Sequence, residues 1–355
     1  MSANTYTLIP DEGIRNILDS RIRVLSGQIG ALHLPCLAGV VLGGGYGRGE
    51  GGVLHTPEGG HLYNDLDLFV FTRGAGKKEA EKINGELKKL SLPLEKELGV
   101  AVDFGPAKEL VSLKKVQSTL MFQELLRGWK PVWGEIRLEE YMELLDAERL
   151  PCSEAIRLLL NRGMGLLFAG ERLLAEEEEK DADFIVRNMN KAILGGGDAC
   201  LIISGQYCWK GPQRVSSYEK LVRAKELPGE YASLYEKAFR WKMEPKPVLP
   251  ENPLEEWKKC RAFYLDCVRF CSGIPAEKRE DVREVLAGLR KKCGKERGIK
   301  NFLRWTLRAK KVRPLSEIFD VPFVTVLGLL YRQLSSANGP GECPPALRAL
   351  WTMFN

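Results

Sequence analysis

Two aspartates one residue apart open an apolar run: Asp65-Leu66-Asp67, then Leu68-Phe69-Val70-Phe71. In an extended strand, residues i and i+2 share a face. The two carboxylates therefore project together, and they repel each other unless a cation sits between them. At the edge of a buried strand such a pair is costly without a partner. Mg2+ is the natural one, because it takes carboxylate oxygens together with substrate phosphates. Upstream, seven of the ten residues in Gly43–Gly52 are glycine. Without Cβ atoms, Gly43–Gly45 and Gly47 let backbone N–H groups come close to phosphate oxygens. Arg48 adds a planar, permanently charged fork suited to phosphate. Glu50 either orients Arg48 or caps the following turn, and an Arg48–Glu50 salt bridge is the plainer alternative. A metal beside a phosphate cradle points to phosphoryl-type chemistry on a nucleoside triphosphate.

Two other glycine patterns fail. A Walker loop needs G-x-x-x-x-G-K-[ST], but Gly76-Lys77 is followed by Lys78. Gly47, Gly49 and Gly52 match G-x-G-x-x-G, but His55-Thr56-Pro57-Glu58-Gly59-Gly60 follows, not the apolar helix that a dinucleotide fingerprint requires.

The positioning elements follow from periodicity. Apolar residues at helical spacing over Ile14–Leu32 predict a helix, and Cys36–Leu42 predicts a buried strand. Gly43–Gly52 predicts a loop, and His55–Asn64 a further irregular stretch. Leu66–Thr72 predicts a strand, Lys77–Glu97 a helix, Val100–Phe104 a strand, Leu113–Arg127 a helix and Pro131–Trp133 a short strand. From Ser153 onward the pattern is helical, and Gly195–Gly197 fall inside one helix, where close packing is preferred to a break.

In these residues the chain resembles the polymerase-β-like nucleotidyltransferases, which include aminoglycoside and minimal bacterial nucleotidyltransferases. Their signature is a hydrophobic residue, Gly-Gly or Gly-Ser, and an Asp-x-Asp on the next strand. Here Leu42 or Gly43 leads into Gly44-Gly45, Tyr46-Gly47-Arg48 follows, and Asp65-Leu66-Asp67 closes the pattern. A third family carboxylate on a later strand matches Asp103 in Val100-Ala101-Val102-Asp103-Phe104. The resemblance implies two Mg2+ ions held by Asp65, Asp67 and Asp103, with Asp103 also activating the acceptor hydroxyl. It implies nucleotide contacts at Gly44, Gly45 and Arg48. It covers the chain up to about the first tryptophans, Trp129 and Trp133, and departs in one respect: the stretch from Gly45 to Asp65 is longer than the family usually shows. That insertion is either a loop over the site or a displacement of the acids.

The helical half looks similar, more loosely, to the helical domains attached to such enzymes, where basic residues grip the triphosphate. Arg187 and Lys191, four apart, share a helix face. Lys191 is the expected β/γ-phosphate contact with Arg187 beside it; two solvated bases is the alternative. Asp198 and Tyr207 are placed in the same cleft. The expected fold is an α/β (α+β) nucleotidyltransferase domain with a small mixed sheet, residues 1–150, then a mostly α-helical domain, residues 151–355, for acceptor binding and cleft closure. The implied reaction moves a nucleoside monophosphate from a triphosphate, with ATP expected, to a hydroxyl on a small molecule, protein or RNA. The rival readings are an antitoxin-like or other interaction protein with a protein partner, and a nucleotide-sensing pseudoenzyme.

Bulk properties bound these readings. A chain of 355 residues suits two domains, and 44% hydrophobic with 28% charged residues predicts packed cores. No apolar run approaches the ~18 residues of a membrane span, and the first residues lack a secretory pattern. Nine cysteines with no C-x-x-C pair predict reduced thiols in the cytoplasm and no zinc site. A net charge of +6 permits anionic substrates without demanding them. The basic clusters Lys291–Lys300 and Arg304–Arg313 are read as solvated helix faces in preference to a nucleic-acid groove.

Overall fold

In a computed structural model, the chain is described over residues 5–175, 180–224, 227–274, 281–293, 322–336 and 339–354. It divides into two compact units. The first is Met1–Asp146 with Arg240–Lys246, and the second is Ala147–Phe239 with Pro247–Asn355.

In the first unit, α1 (Glu12–Ala31) starts where Asp11 Oδ1 accepts the Ile14 N–H at 2.8 Å, satisfying one of the orphan donors of the first turn. Then follow β1 (Leu37–Leu42), α2 (Gly44–Arg48), β2 (Val53–Thr56), β3 (Gly59–Leu62) and β4 (Leu66–Thr72). Next come α3 (Lys77–Leu98), β5 (Val102–Phe104), β6 (Lys108–Glu109), α4 (Leu120–Arg127) and β7 (Lys130–Trp133). The main sheet has the order β5-β4-β1-β7, with β6 also pairing β4. Strand β1 is antiparallel to β4 and to β7, whereas β5 and β6 run parallel to β4. The sheet is therefore mixed.

Alternation along β4 feeds two cores. Leu66, Leu68 and Val70 join Val40, Leu42 and Val102 against Ile14 and Leu18 of α1 and Ile83 and Leu87 of α3. Phe71 joins Val41, Leu110, Phe122 and Leu125 on the other side, with Phe69 packed against them. A strand covered on both faces reads as a continuous apolar run. This explains why Leu-Phe-Val-Phe does not alternate with polar residues.

Three local expectations are corrected. The glycine segment is not all loop: Gly44–Arg48 form one short helical turn, closed by Gly49 at φ 76°. The wholly buried Tyr46 side chain anchors that turn in the core, which outweighs the poor helix propensity of its glycines. The stretch His55–Asn64 is not irregular. Strands β2 and β3 pair in register from Val53↔Leu62 to Thr56↔Gly59, with Pro57 and Glu58 at the tip. Pro and Gly mark that tip, and they hid the short β-branched strand before it. The helix expected from Leu113 begins only at Leu120, where Thr119 Oγ1 caps the Phe122 N–H. Leu110–Lys115 form a 3-10 turn instead.

The second unit is helical in its described residues: α5 (Cys152–Leu174), α6 (Ala182–Ile203), α7 (Gly211–Ala224), α8 (Glu230–Met243), α9 (Pro253–Ser272), α10 (Val282–Cys293), α11 (Pro322–Ser336) and α12 (Pro345–Phe354). The last turn of α8 belongs to the first unit by its contacts. Helix α6 runs unbroken through Gly195–Gly197, as the packing reading expects. A Cβ at Gly195 would overlap Arg162, one at Gly196 would lie 3.1 Å from Phe263 and from Cys267 Sγ, and one at Gly197 would overlap Tyr235. Two α9 side chains tie to α5: Trp257 Nε1 donates to Leu166 O at 2.9 Å, and the Tyr264 hydroxyl to Leu159 O at 2.8 Å. Residues 294–300 of the first basic cluster, and all of Arg304–Arg313, lie outside the described residues. Among the described residues no helix is long and apolar enough to cross a membrane.

Candidate functional site

Asp65 precedes β4, Asp67 is its second residue, and Asp103 is the middle residue of β5. The parallel pairing of these strands sets Asp67 opposite Asp103, flanked by Leu66↔Val102 and Leu68↔Phe104. Neighbouring strands lie about 4.8 Å apart, so the Asp67 and Asp103 carboxylates stand side by side across the ladder, and Asp65 lies just before the strand. All three are exposed, while Leu66 and Val102 between them are buried on the other face. Farther along the acids' face, Phe69 packs edge-on against Phe122 of α4, with ring centroids 6.0 Å apart. The α4 layer thus covers the later part of β4, and the acids occupy its open beginning.

The glycine turn abuts this row. The Gly43 N–H donates to Asp67 O at 2.8 Å, the Gly47 N–H to Gly43 O at 2.8 Å and the Glu50 N–H to Gly45 O at 2.8 Å. Gly44 has φ 60°, and a Cβ there would overlap Asp67 Oδ2. Both the conformation and the close approach require glycine. Gly44→Ala is therefore expected to cost about 1–2 kcal/mol for the left-handed backbone alone, and also to push the Asp67 carboxylate aside. Thermal unfolding and a Mn2+ titration check this; a variant normal in both would show that the contact is slack.

Arg48 sits at the other end of the turn. Its Nη1 lies 3.0 Å from Glu124 of α4 and its Nε 3.9 Å from Glu50, while Lys242 Nζ lies 3.8 Å from the same Glu50 oxygen. The Arg48 side chain is 15% exposed, that of Glu124 18% and that of Glu50 7%. In this arrangement the guanidinium is gripped by carboxylates inside the unit. Glu124 carries no sequence signal linking it to Arg48: a lone acid on an amphipathic helix, it becomes a partner only when α4 packs on α2.

Arg187 and Lys191 lie on α6 of the second unit, one turn apart, and both are half-buried. The Arg187 guanidinium pairs with Asp183, one turn earlier. Asp198 and Tyr207 do come together, but around a residue that the spacing did not suggest. Arg214, buried on α7, reaches Asp198 at 3.3 Å and donates to the Tyr207 hydroxyl, and Tyr235 donates its hydroxyl to Asp198. A buried guanidinium needs such a set of partners.

Among the described residues, no three or more His, Cys, Asp or Glu side chains are gathered into a metal-holding group as they stand. The residue types on these strands are those a hard divalent cation takes. The donor set at β4 and β5 is all carboxylate oxygen, two donors are in register, and the Asp67 carboxylate fills the space where a Cβ on Gly44 would sit. Oxygens of this kind suit Mg2+, Ca2+ and Mn2+ alike.

The molecule is thus a mixed α/β unit with a carboxylate row at its sheet, joined to a helical unit. No family model, curated protein or solved structure matches the chain.

Proposed function

We propose that the chain is a Mg2+-dependent nucleotidyltransferase that moves a nucleoside monophosphate from a triphosphate, ATP in the first instance, to an acceptor hydroxyl. The observation that carries this reading is the register of Asp67 with Asp103, with Gly44 against Asp67. The order of parts supports it: a strand, a glycine turn, an antiparallel strand bearing Asp-Leu-Asp, then a parallel strand bearing a third acid. The same order supports placing the first unit with the polymerase-β-like nucleotidyltransferases.

Asp65, Asp67 and Asp103 are the residues that would hold the metal, whose bound charge neutralises the triphosphate and stabilises the charge that develops at phosphorus. Asp103 takes the proton of the acceptor hydroxyl as its oxygen bonds to the α-phosphorus, and the bond from that phosphorus to pyrophosphate breaks. The amides of Gly44 and Gly45 hold phosphate oxygens. Arg48 either joins them or holds the turn through Glu124. The acceptor is a small molecule, protein or RNA.

Calorimetric titration of ATP, GTP, CTP and UTP tests this, first with Mg2+ and then with the metal removed by a chelator. One triphosphate is expected to bind with Mg2+ and to lose that binding with the chelator. Absence of binding by all four in Mg2+ would overturn the reading. Binding without pyrophosphate release across a panel of acceptors would mark a nucleotide sensor.

A further inference from the structure

The hairpin β2–β3 separates the glycine turn from Asp65, and its neck closes on one atom. The Tyr46 hydroxyl donates to Gly52 O at 2.8 Å and accepts the N–H groups of Tyr63 at 2.9 Å and Asn64 at 3.4 Å. Gly52 leads into the hairpin, and Tyr63 and Asn64 lead out of it to Asp65. A second bond closes the same neck: the Gly52 N–H donates to Asn64 Oδ1 at 2.7 Å. A phenol offers one donor and two acceptor sites, so this one is fully used. The ring is wholly buried and lies so close to Gly51 that a Cβ there would overlap it. Burial, together with the charge of the nearby Asp65, pushes the phenol up to about 12. It therefore stays a neutral donor across the working pH range.

We infer that Tyr46 is a positioning residue for the carboxylate row: its hydroxyl pins the entry and exit of the hairpin together, and so sets where Asp65 and Asp67 begin β4 beside Asp103. In calling that row a metal site, the inference rests on the proposed function. Its consequence is that the length of the insertion does not matter to the site. The tip at Pro57 and Glu58 is exposed and lies beyond the neck, so the hairpin can be long without displacing the acids.

The test uses the full chain and three variants: Tyr46→Phe, which removes one oxygen and keeps the ring; Asn64→Ala, which breaks the second neck bond; and Pro57→Ala at the tip. Amide hydrogen exchange is read at Tyr63–Asp67 and, as an internal standard, along β1, and Mn2+ affinity is read by calorimetry. Tyr46→Phe removes the Tyr46 oxygen from a buried carbonyl, a buried amide and a half-buried amide, so exchange at Tyr63–Asp67 is expected to rise about tenfold or more while β1 stays protected. Mn2+ affinity is expected to fall about 10–100-fold, as when a residue that orients metal ligands is lost. Asn64→Ala should act in the same direction, and it carries the test if Tyr46→Phe does not fold. Pro57→Ala should move neither readout. Unchanged exchange at Tyr63–Asp67, or faster exchange with unchanged Mn2+ affinity, would overturn the inference. Faster local exchange in a protein whose wild type binds no Mn2+ would uphold Tyr46 as the residue that sets the start of β4, and would overturn the nucleotidyltransferase reading instead.

Discussion

Asp67→Asn is expected to abolish metal-dependent nucleotide binding while the protein stays folded. Asp67 stands at the centre of the row, beside Asp103 across the strands and two residues from Asp65 along β4. Asparagine keeps its size and shape and removes only the charge. An exposed substitution of this kind changes stability by less than about 1 kcal/mol. On the proposed function, loss of a charge that would hold the cation removes several kcal/mol of stabilisation where phosphorus reacts. A fall in turnover of roughly a thousandfold, or about 4 kcal/mol, is therefore the expected size. Pyrophosphate release measures it, with thermal unfolding as the control for folding. Asp65→Asn should behave in the same way. Near-normal turnover in either variant would remove the carboxylates from the chemistry.

Arg48→Met is expected to destabilise the first unit by about 3 kcal/mol, because removing one partner of a largely buried ion pair leaves the other charge poorly compensated. Glu124 would lose the cation 3.0 Å away, and Glu50 would lose its 3.9 Å contact while keeping Lys242 at 3.8 Å. At this size the melting midpoint falls by roughly 10 °C. The double variant Arg48→Met/Glu124→Leu should recover part of the loss, since a well-packed apolar pair can replace a buried ion pair at little net cost. This experiment separates the two readings of Arg48. A brace lowers the midpoint and is rescued by the apolar pair. A phosphate contact leaves the midpoint unchanged, weakens nucleotide binding, and gains nothing from Glu124→Leu.

The carboxylates and the glycine turn were legible because each rests on a local rule. Asp-Leu-Asp at the head of an apolar run places two acids on one face by the two-residue period of a strand, and Leu66, Leu68 and Val70 do fill the opposite core. The helical second half showed in its periodicity, and Gly195–Gly197 pack as small residues inside a continuous α6. The hairpin was missed because each of its strands is only four residues long and its tip carries the Pro and Gly that mark loops. The short turn of helix at Gly44 was missed because glycine content argues against helix, while the burial of Tyr46 that overrides it is a tertiary contact.

The sequence alone therefore determined the types of residue available for chemistry and which of them share a face, because both follow from neighbours along the chain. Only the tertiary structure decided which strands lie side by side, and so that Asp103 stands opposite Asp67, that Glu124 grips Arg48, that Arg214 joins Asp198 to Tyr207, and that Tyr46 closes the neck before Asp65. These contacts join residues between 7 and 76 positions apart in the chain, from different segments of it. Their meeting depends on how helices and strands pack to bury their apolar faces, and no local spacing encodes that.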